Sequence, residues 1–251
     1  MSDTMSIEDY LVQGGILSSP ANVPPRYRGE LLRIMTTFVD SELAGSAGFA
    51  DMINDAPGIK ERIAASRIVL EKTDHAERVL MVMAEFGADV ARYAVHYPWG
   101  ARVERESDIG AVRFGKDMRL SVFHYPLRGW IDAVVMNVLM GTAVGVQLQE
   151  LSRVSYAPLA DVFRAVAPRE AAHTRLGLEG LSKICDAQDG RPAAVRSIAF
   201  WRPHVAATFG SAASPRFETL RKFGLRHQTN ETLRAAWEAE LDRKLVDLRL
   251  T

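Results

Sequence analysis

"LEKTDHAERV" at 70–79 and "PREAAHTRLG" at 168–177 are the two stretches that decide how this chain folds. Both read as mid-helix. The second places Glu170 and His173 three residues apart, so a carboxylate and an imidazole leave one helix face a turn apart. The first repeats the spacing with Lys72 and His75, a lysine standing where the carboxylate would be. Di-iron helix bundles use a Glu-x-x-His pair on each of two helices and a lone carboxylate on each of two others. Here one pair is intact and one is altered.

The lone carboxylate sits about thirty residues before its pair, the length of a helix, a turn and half of the next helix. Counting back from Lys72 gives Glu42, and counting back from Glu170 gives Gly141. The six positions therefore read Glu42, Lys72, His75, Gly141, Glu170 and His173. The relation between 42–75 and 141–173 is the one repeat-like feature of the sequence.

Around these positions the pattern is helical nearly throughout. Leu31, Met35, Phe38 and Glu42 keep helical spacing after the prolines at 24 and 25. A second helix begins at the Pro57-Gly58 break and ends at Gly87, a C-terminal cap, with Ile68, Lys72, His75 and Val79 on its inner face. A long connection, 88–129, is broken at Pro98, Gly100, Gly110 and Pro126 and has room for a short helix or a hairpin. A third helix is expected from about Trp130 to Ser152. A fourth runs from about Ala157, with Pro158 in its first turn, through Gly177 or beyond. After "GSAASP" at 210–215 comes a final helix that Thr229 would cap; its many charges place it on the surface. Strand–helix alternation is absent, which argues against an α/β enzyme. Two antiparallel helix pairs joined by a long crossover make an all-α, ferritin-like four-helix bundle with extra C-terminal helices. The expectation is one domain over 1–251: an N-terminal extension at 1–24, the crossover at 88–129 and a C-terminal helical segment at 210–251.

Bulk composition narrows the function classes. The chain has 251 residues with 31 basic and 31 acidic side chains, so no global field attracts nucleic acid or an acidic membrane. The single cysteine, Cys185, excludes an internal disulfide and reads as a packed helix residue. The N-terminus lacks the basic and apolar regions of a signal peptide. The longest uncharged apolar run, Ala133 to Gln149, is interrupted by Asn137, Gly141, Thr142 and Gly145 and falls short of a membrane span. A cytoplasmic protein is the expectation.

The stretches "YRGELLR", "DSELAG", "FHYP" with "GWIDA", "SYAPLADVFR", "REAAHTRLG" and "FWRPHVAATFG" run in order over about residues 25 to 250. In them the chain resembles the phenylacetyl-CoA epoxidase family, the CoA-thioester branch of the ferritin-like di-iron oxygenases, and is most similar to its larger, catalytic subunit. The resemblance implies a glutamate at the position of Lys72 and an aspartate at that of Gly141, both metal ligands in that subunit. It also implies a related bundle subunit without a metal centre. Lysine and glycine at those positions suit each other. Glu42 and Glu170 carry two negative charges, Lys72 one positive charge, and one protonated histidine restores neutrality, whereas a carboxylate at 141 would be uncompensated.

Three arrangements of the cluster are open. In the favoured one, Lys72 takes the metal's place between the two glutamates, and the protein is a non-catalytic structural or CoA-thioester-binding subunit without a cofactor. In the second, His75, His173 and a glutamate hold a single iron as a two-histidine, one-carboxylate triad, and the protein is an oxygenase. In the third, Lys72 faces away, and Glu71 or Asp74 replaces it through a local helix distortion. A regulatory bundle without CoA binding is a further functional reading.

The resemblance places Arg33, Arg119, Arg221 and Lys222 near the CoA moiety, whose phosphates call for such groups. It also implies a homodimer or a hetero-oligomer with another ferritin-like subunit. Asp132 is expected to serve the start of the third helix and Glu150 to be an outer polar residue. His96, His124, His204 and His227 fall in loop or terminal stretches without a ligand partner at useful spacing. Trp99, Trp130, Trp201 and Trp237 read as packing anchors.

Overall fold

The computed structural model describes residues 5–93, 98–110 and 118–250. Its frame is two antiparallel helix pairs. α2 (Pro25–Met52) packs along α3 (Ile59–Glu85), and α4 (Trp130–Leu151) along α5 (Ala157–Asp186). Local chemistry sets the boundaries. Pro24 and Pro25 open α2, where a missing N–H costs nothing. α3 closes in a Schellman arrangement around Gly87, whose φ is +71°. There the Gly87 N–H donates to the Ala84 carbonyl and the Ala88 N–H to that of Met83.

Outside this frame lie α1 (Ile7–Val12), α6 (Gly190–Ala207), α7 (Phe217–Lys222) and α8 (Asn230–Asp247). A single bridge joins Leu17 to Tyr156, and no longer strand occurs among the described residues. Two large apolar cores and a small third one (Phe49, Ile68 and Ala133) result among the described residues. One large core gathers Leu139, Leu181, Trp201 and Trp237 between α4, α5, α6 and α8; the other gathers Tyr27, Leu31, Met35, Val79 and Phe163 between α2, α3 and α5.

α4 is long and apolar enough to cross a membrane, but 78% of its apolar window is buried by the other helices. It is the central helix of the bundle. Gly177 on α5 lets the two helices approach closely: a Cβ there would stand 2.8 Å from Asn137 Nδ2, which donates to the His173 carbonyl.

The connection before α4, for which a short helix or a hairpin is expected, shows only short 3-10 turns among its described residues. These turns lie at 91–93, 98–100 and 121–124, the last two packed against α2. α2 presents side chains that bind this backbone: Asp40 accepts the Met118 N–H at 2.7 Å, and Ser41 accepts that of Leu120 at 3.1 Å.

α8 also departs from expectation. Despite its charge, Leu233, Trp237, Leu241 and Leu245 form a stripe buried against the bundle, and the Trp237 indole donates to the Leu139 carbonyl at 3.1 Å. Four residues spaced four apart suffice to dock a helix whose remaining faces are charged. Thr229 caps it as expected, accepting the Thr232 N–H at 3.1 Å. Glu150 is buried rather than outer, because its carboxylate receives the His227 and Gln228 N–H groups ahead of α8.

Candidate functional site

Glu42 from α2, Lys72 and His75 from α3, and Glu170 and His173 from α5 converge between the helix pairs, and all five are buried. The Lys72 ammonium lies 3.3 and 3.4 Å from the Glu42 oxygens and 3.1 and 3.2 Å from those of Glu170. His75 Nδ1 is 3.0 Å from Glu170 Oε1 and 3.4 Å from Glu42 Oε2. The His75 and His173 rings stack with centroids 5.9 Å apart.

Electrostatics follow from this packing. Burial would lower the Lys72 ammonium, but the charges of Glu170 and Glu42 more than reverse that and raise it. For His75, burial again lowers, and hydrogen bonds to Glu170 and Glu42 outweigh it, raising the imidazole to about 9. Burial pushes Glu170 up, while the Lys72 charge and hydrogen bonds from His173 and His75 hold it well below the usual carboxylate range. At neutral pH, two carboxylates face an ammonium and an imidazolium. Those four groups balance one another, with a further acidic side chain, Glu71, at the edge of the site beside His173.

Glu71 joins the site without the helix distortion its sequence position suggested. Its longer reach brings Oε2 to 2.6 Å from His173 Nε2 across the α3–α5 groove, while α3 stays regular. Asp74 does not join; it pairs with Arg78 at 2.8 Å near the surface.

At Gly141 an added Cβ would lie 2.4 Å from Thr174 Oγ1, which donates to the Glu170 carbonyl at 3.0 Å. α5 therefore fills the space that a carboxylate at this position would use. These positions do not fit a two-iron centre, since Glu42 and Glu170 carry the carboxylates, Gly141 offers no donor, and a cation already stands between the glutamates. Among the described residues the set with single-ion spacing is Glu42, His75 and Glu170, whose donor atoms lie within 4.8 Å of one another. It shares His75 and a glutamate with the two-histidine arrangement left open by the sequence, and leaves out His173, which meets Glu71.

Glu42 also lines a cavity of about 250 Å³ between α2, α4 and the segment around α7. Phe38, Phe123, Met140 and Leu148 make its inner wall apolar, and Arg33, Arg216 and Arg226 line it as well. Of the expected basic residues only Arg33 is there. Arg119 is buried, its guanidinium donating to the Trp99 and Ala101 carbonyls within the crossover. Arg221 is exposed beside Glu218 on α7, and Lys222 is exposed next to it. Arg216 and Arg226 were not singled out in the sequence. Their proximity to α2 depends on the return of the chain after α6, which no local pattern encodes. Arg226 donates to Gln147 Oε1 at 2.8 Å.

The remaining candidates are structural. Asp132 accepts the Arg128 N–H at 2.9 Å at the start of α4, binds the Arg105 guanidinium, and receives the Ser197 hydroxyl at 2.6 Å. His204 lies 2.7 Å from the Phe200 carbonyl, and His227 is 3.4 Å from Glu150. His124 is buried in the 3-10 turn at 121–124, and Cys185 is half-buried. His96 lies outside the described residues. Trp201 and Trp237 are fully buried anchors.

Two inward-facing helix pairs with a polar cluster at their centre define a ferritin-like helical bundle. The family model described as "Phenylacetic acid catabolic protein" matches residues 7–251, and the chain belongs to that family. It is 24% identical over 238 residues to the A subunit of 1,2-phenylacetyl-CoA epoxidase from Escherichia coli (strain K12), across 93% of this chain and 72% of that one.

Proposed function

We propose that this protein is a metal-free, non-catalytic member of an epoxidase-type assembly that holds a CoA thioester or supports a partner subunit. The observation that carries the reading is the Lys72 ammonium, hydrogen-bonded to both Glu42 and Glu170 where the family resemblance puts a metal. A metal ion entering there must displace a cation that both carboxylates already neutralise, and Gly141 supplies no replacement donor. Assembly with a second ferritin-like subunit is supported by the similarity to a protein named as a subunit.

The cavity supports the binding role. Its apolar wall suits an acyl group, and Arg33, Arg216 and Arg226 suit the phosphates of CoA. Phenylacetyl-CoA is the natural first ligand to test, from the name of the similar epoxidase. Glu30 already engages Arg216, and Arg226 already donates to Gln147, which leaves Arg33 for direct phosphate contact.

The test is iron content after expression and anaerobic loading with ferrous ion. Iron far below one equivalent is expected. Stoichiometric iron that disappears in a His75→Ala variant would instead establish a mononuclear site on Glu42, His75 and Glu170, the second reading that their spacing favours.

A further inference from the structure

α3 carries a second pattern on the side away from the ion cluster. Ile59 is 78% exposed, Ile63 54%, Leu70 70% and Met81 68%. At 100° per residue these four fall within about 40° of one another, an apolar row about 33 Å long on the solvent face that shares its sector with the exposed polar Ser66, Thr73 and Glu77. Ile59, Leu70 and Met81 are spaced by eleven residues, a period that stays on one side of a nearly straight helix. Large apolar side chains scattered on a surface need no explanation, but a full-length stripe on one helix does.

The stripe is symmetric about Leu70. In an antiparallel pairing centred there, Ile59 of one chain meets Met81 of the other, and Leu70 meets its own copy. Charge follows the same symmetry. The exposed charges of the first half are Lys60, Arg62 and Arg67. In the second half Arg78 is neutralised by Asp74, which leaves Glu77 and Glu85 as its net charge. Glu77 interrupts the stripe between Leu70 and Met81. In the antiparallel register it comes opposite Ile63, between Lys60 and Arg67 of the other chain.

We propose that the outer face of α3 is a two-fold homodimer interface, with Leu70 on the axis and Glu77 bridging to Lys60 and Arg67 of the second copy. An isologous contact requires a patch complementary to itself, and this helix is so in both apolar register and charge. The surface is independent of the cavity and of the ion cluster, so it stands whether or not the proposed function does.

Light scattering across a concentration series tests it on the full chain. The wild-type protein is expected to dimerise. Leu70→Asp should weaken the dimer by at least about 30-fold, as for a central interface residue. Glu77→Arg should also weaken it, and adding Lys60→Glu and Arg67→Glu to that variant should restore association. These side chains are exposed, so helical content by circular dichroism should match wild type throughout. A wild-type chain that stays monomeric at about 200 μM, weaker than any specific pairing of this extent, overturns the proposal. So does a dimer indifferent to both Leu70→Asp and Glu77→Arg.

Discussion

In the first helix pair, α2 and α3 deliver Glu42, Lys72 and His75 to the centre of the bundle; in the second, α4 delivers only the bare Gly141, while α5 delivers Glu170 and His173. The pairs share a spacing but not a chemistry. α4 packs against α5, α6 and α8, and at its ligand position it carries Gly141, with Thr174 of α5 closed against it. α3 meets both glutamates and can therefore hold a buried lysine. A buried ion pair tolerates the loss of a ligand when the total charge still closes. Lysine on one side and glycine on the other are two halves of one charge balance.

The strongest way to break this comparison is to remove the ammonium. Lys72→Met keeps most of the stem but leaves Glu42 and Glu170 facing one imidazolium, and losing one partner of a buried pair costs about 3–5 kcal/mol. Urea unfolding should show a loss of that size. Lys72→Glu should be worse, gathering three carboxylates in the same space. An unchanged midpoint for Lys72→Met would mean that the lysine contributes nothing and the balance is fictitious.

A pH series sharpens the same point at a somewhat smaller scale. His75 titrates higher in the folded protein, near 9, than its ordinary 6.5. Its contribution is then fully present below about 6.5 and lost as pH rises through about 9. Glu170 is shifted the other way, so its contribution is present above its ordinary 4.5 and lost as pH falls below that. Stability should peak between these limits. The alkaline loss should amount to a few kcal/mol, at about 1.4 kcal/mol for each pH unit that separates the folded from the unfolded titration. His75→Phe should flatten the slope between 6.5 and 9 and only weaken the acid limb, because Lys72 and His173 still hold Glu170 down. A wild-type profile already flat over that interval would rule out a protonated His75.

The sequence carried the bundle well because caps and apolar spacing are local. Pro25, Gly87, Pro158 and Thr229 each mark a boundary where the helix ends or begins. Glu42, Lys72, His75, Glu170 and His173 were legible for the same reason, since a three-residue step within a helix and a thirty-residue step between antiparallel helices are fixed by helical rise. Side-chain reach was not legible. Glu71 meets His173 because a glutamate spans the groove between two helices, and a helical wheel records only direction. Nor was tertiary return legible: Arg216 and Arg226 reach the cavity through the path after α6, and Arg119 is withdrawn from it by two carbonyls of the crossover. The charged composition of α8 hid a buried stripe of only four residues.

The smallest effect probes the second helix pair alone, through the sign of one substitution. Gly141→Ala has two opposed consequences. Alanine in a helix interior is favoured over glycine by up to about 1 kcal/mol. Its Cβ, however, would stand 2.4 Å from Thr174 Oγ1, and overpacking of this kind costs about 1–3 kcal/mol. Thr174 cannot turn away freely, because its hydroxyl is tied back to the Glu170 carbonyl and its β-branch restricts χ1. Gly141→Ala should therefore be mildly destabilising in the wild-type protein. In a Thr174→Ala background the nearest obstacle is gone, the remaining Cβ lies 3.4 Å away, and the same substitution should become neutral or stabilising. The reversal is read from four unfolding midpoints as a double-mutant cycle. If Gly141→Ala has the same sign in both backgrounds, Thr174 does not fill the vacated ligand position, and the glycine answers to some other constraint on α4.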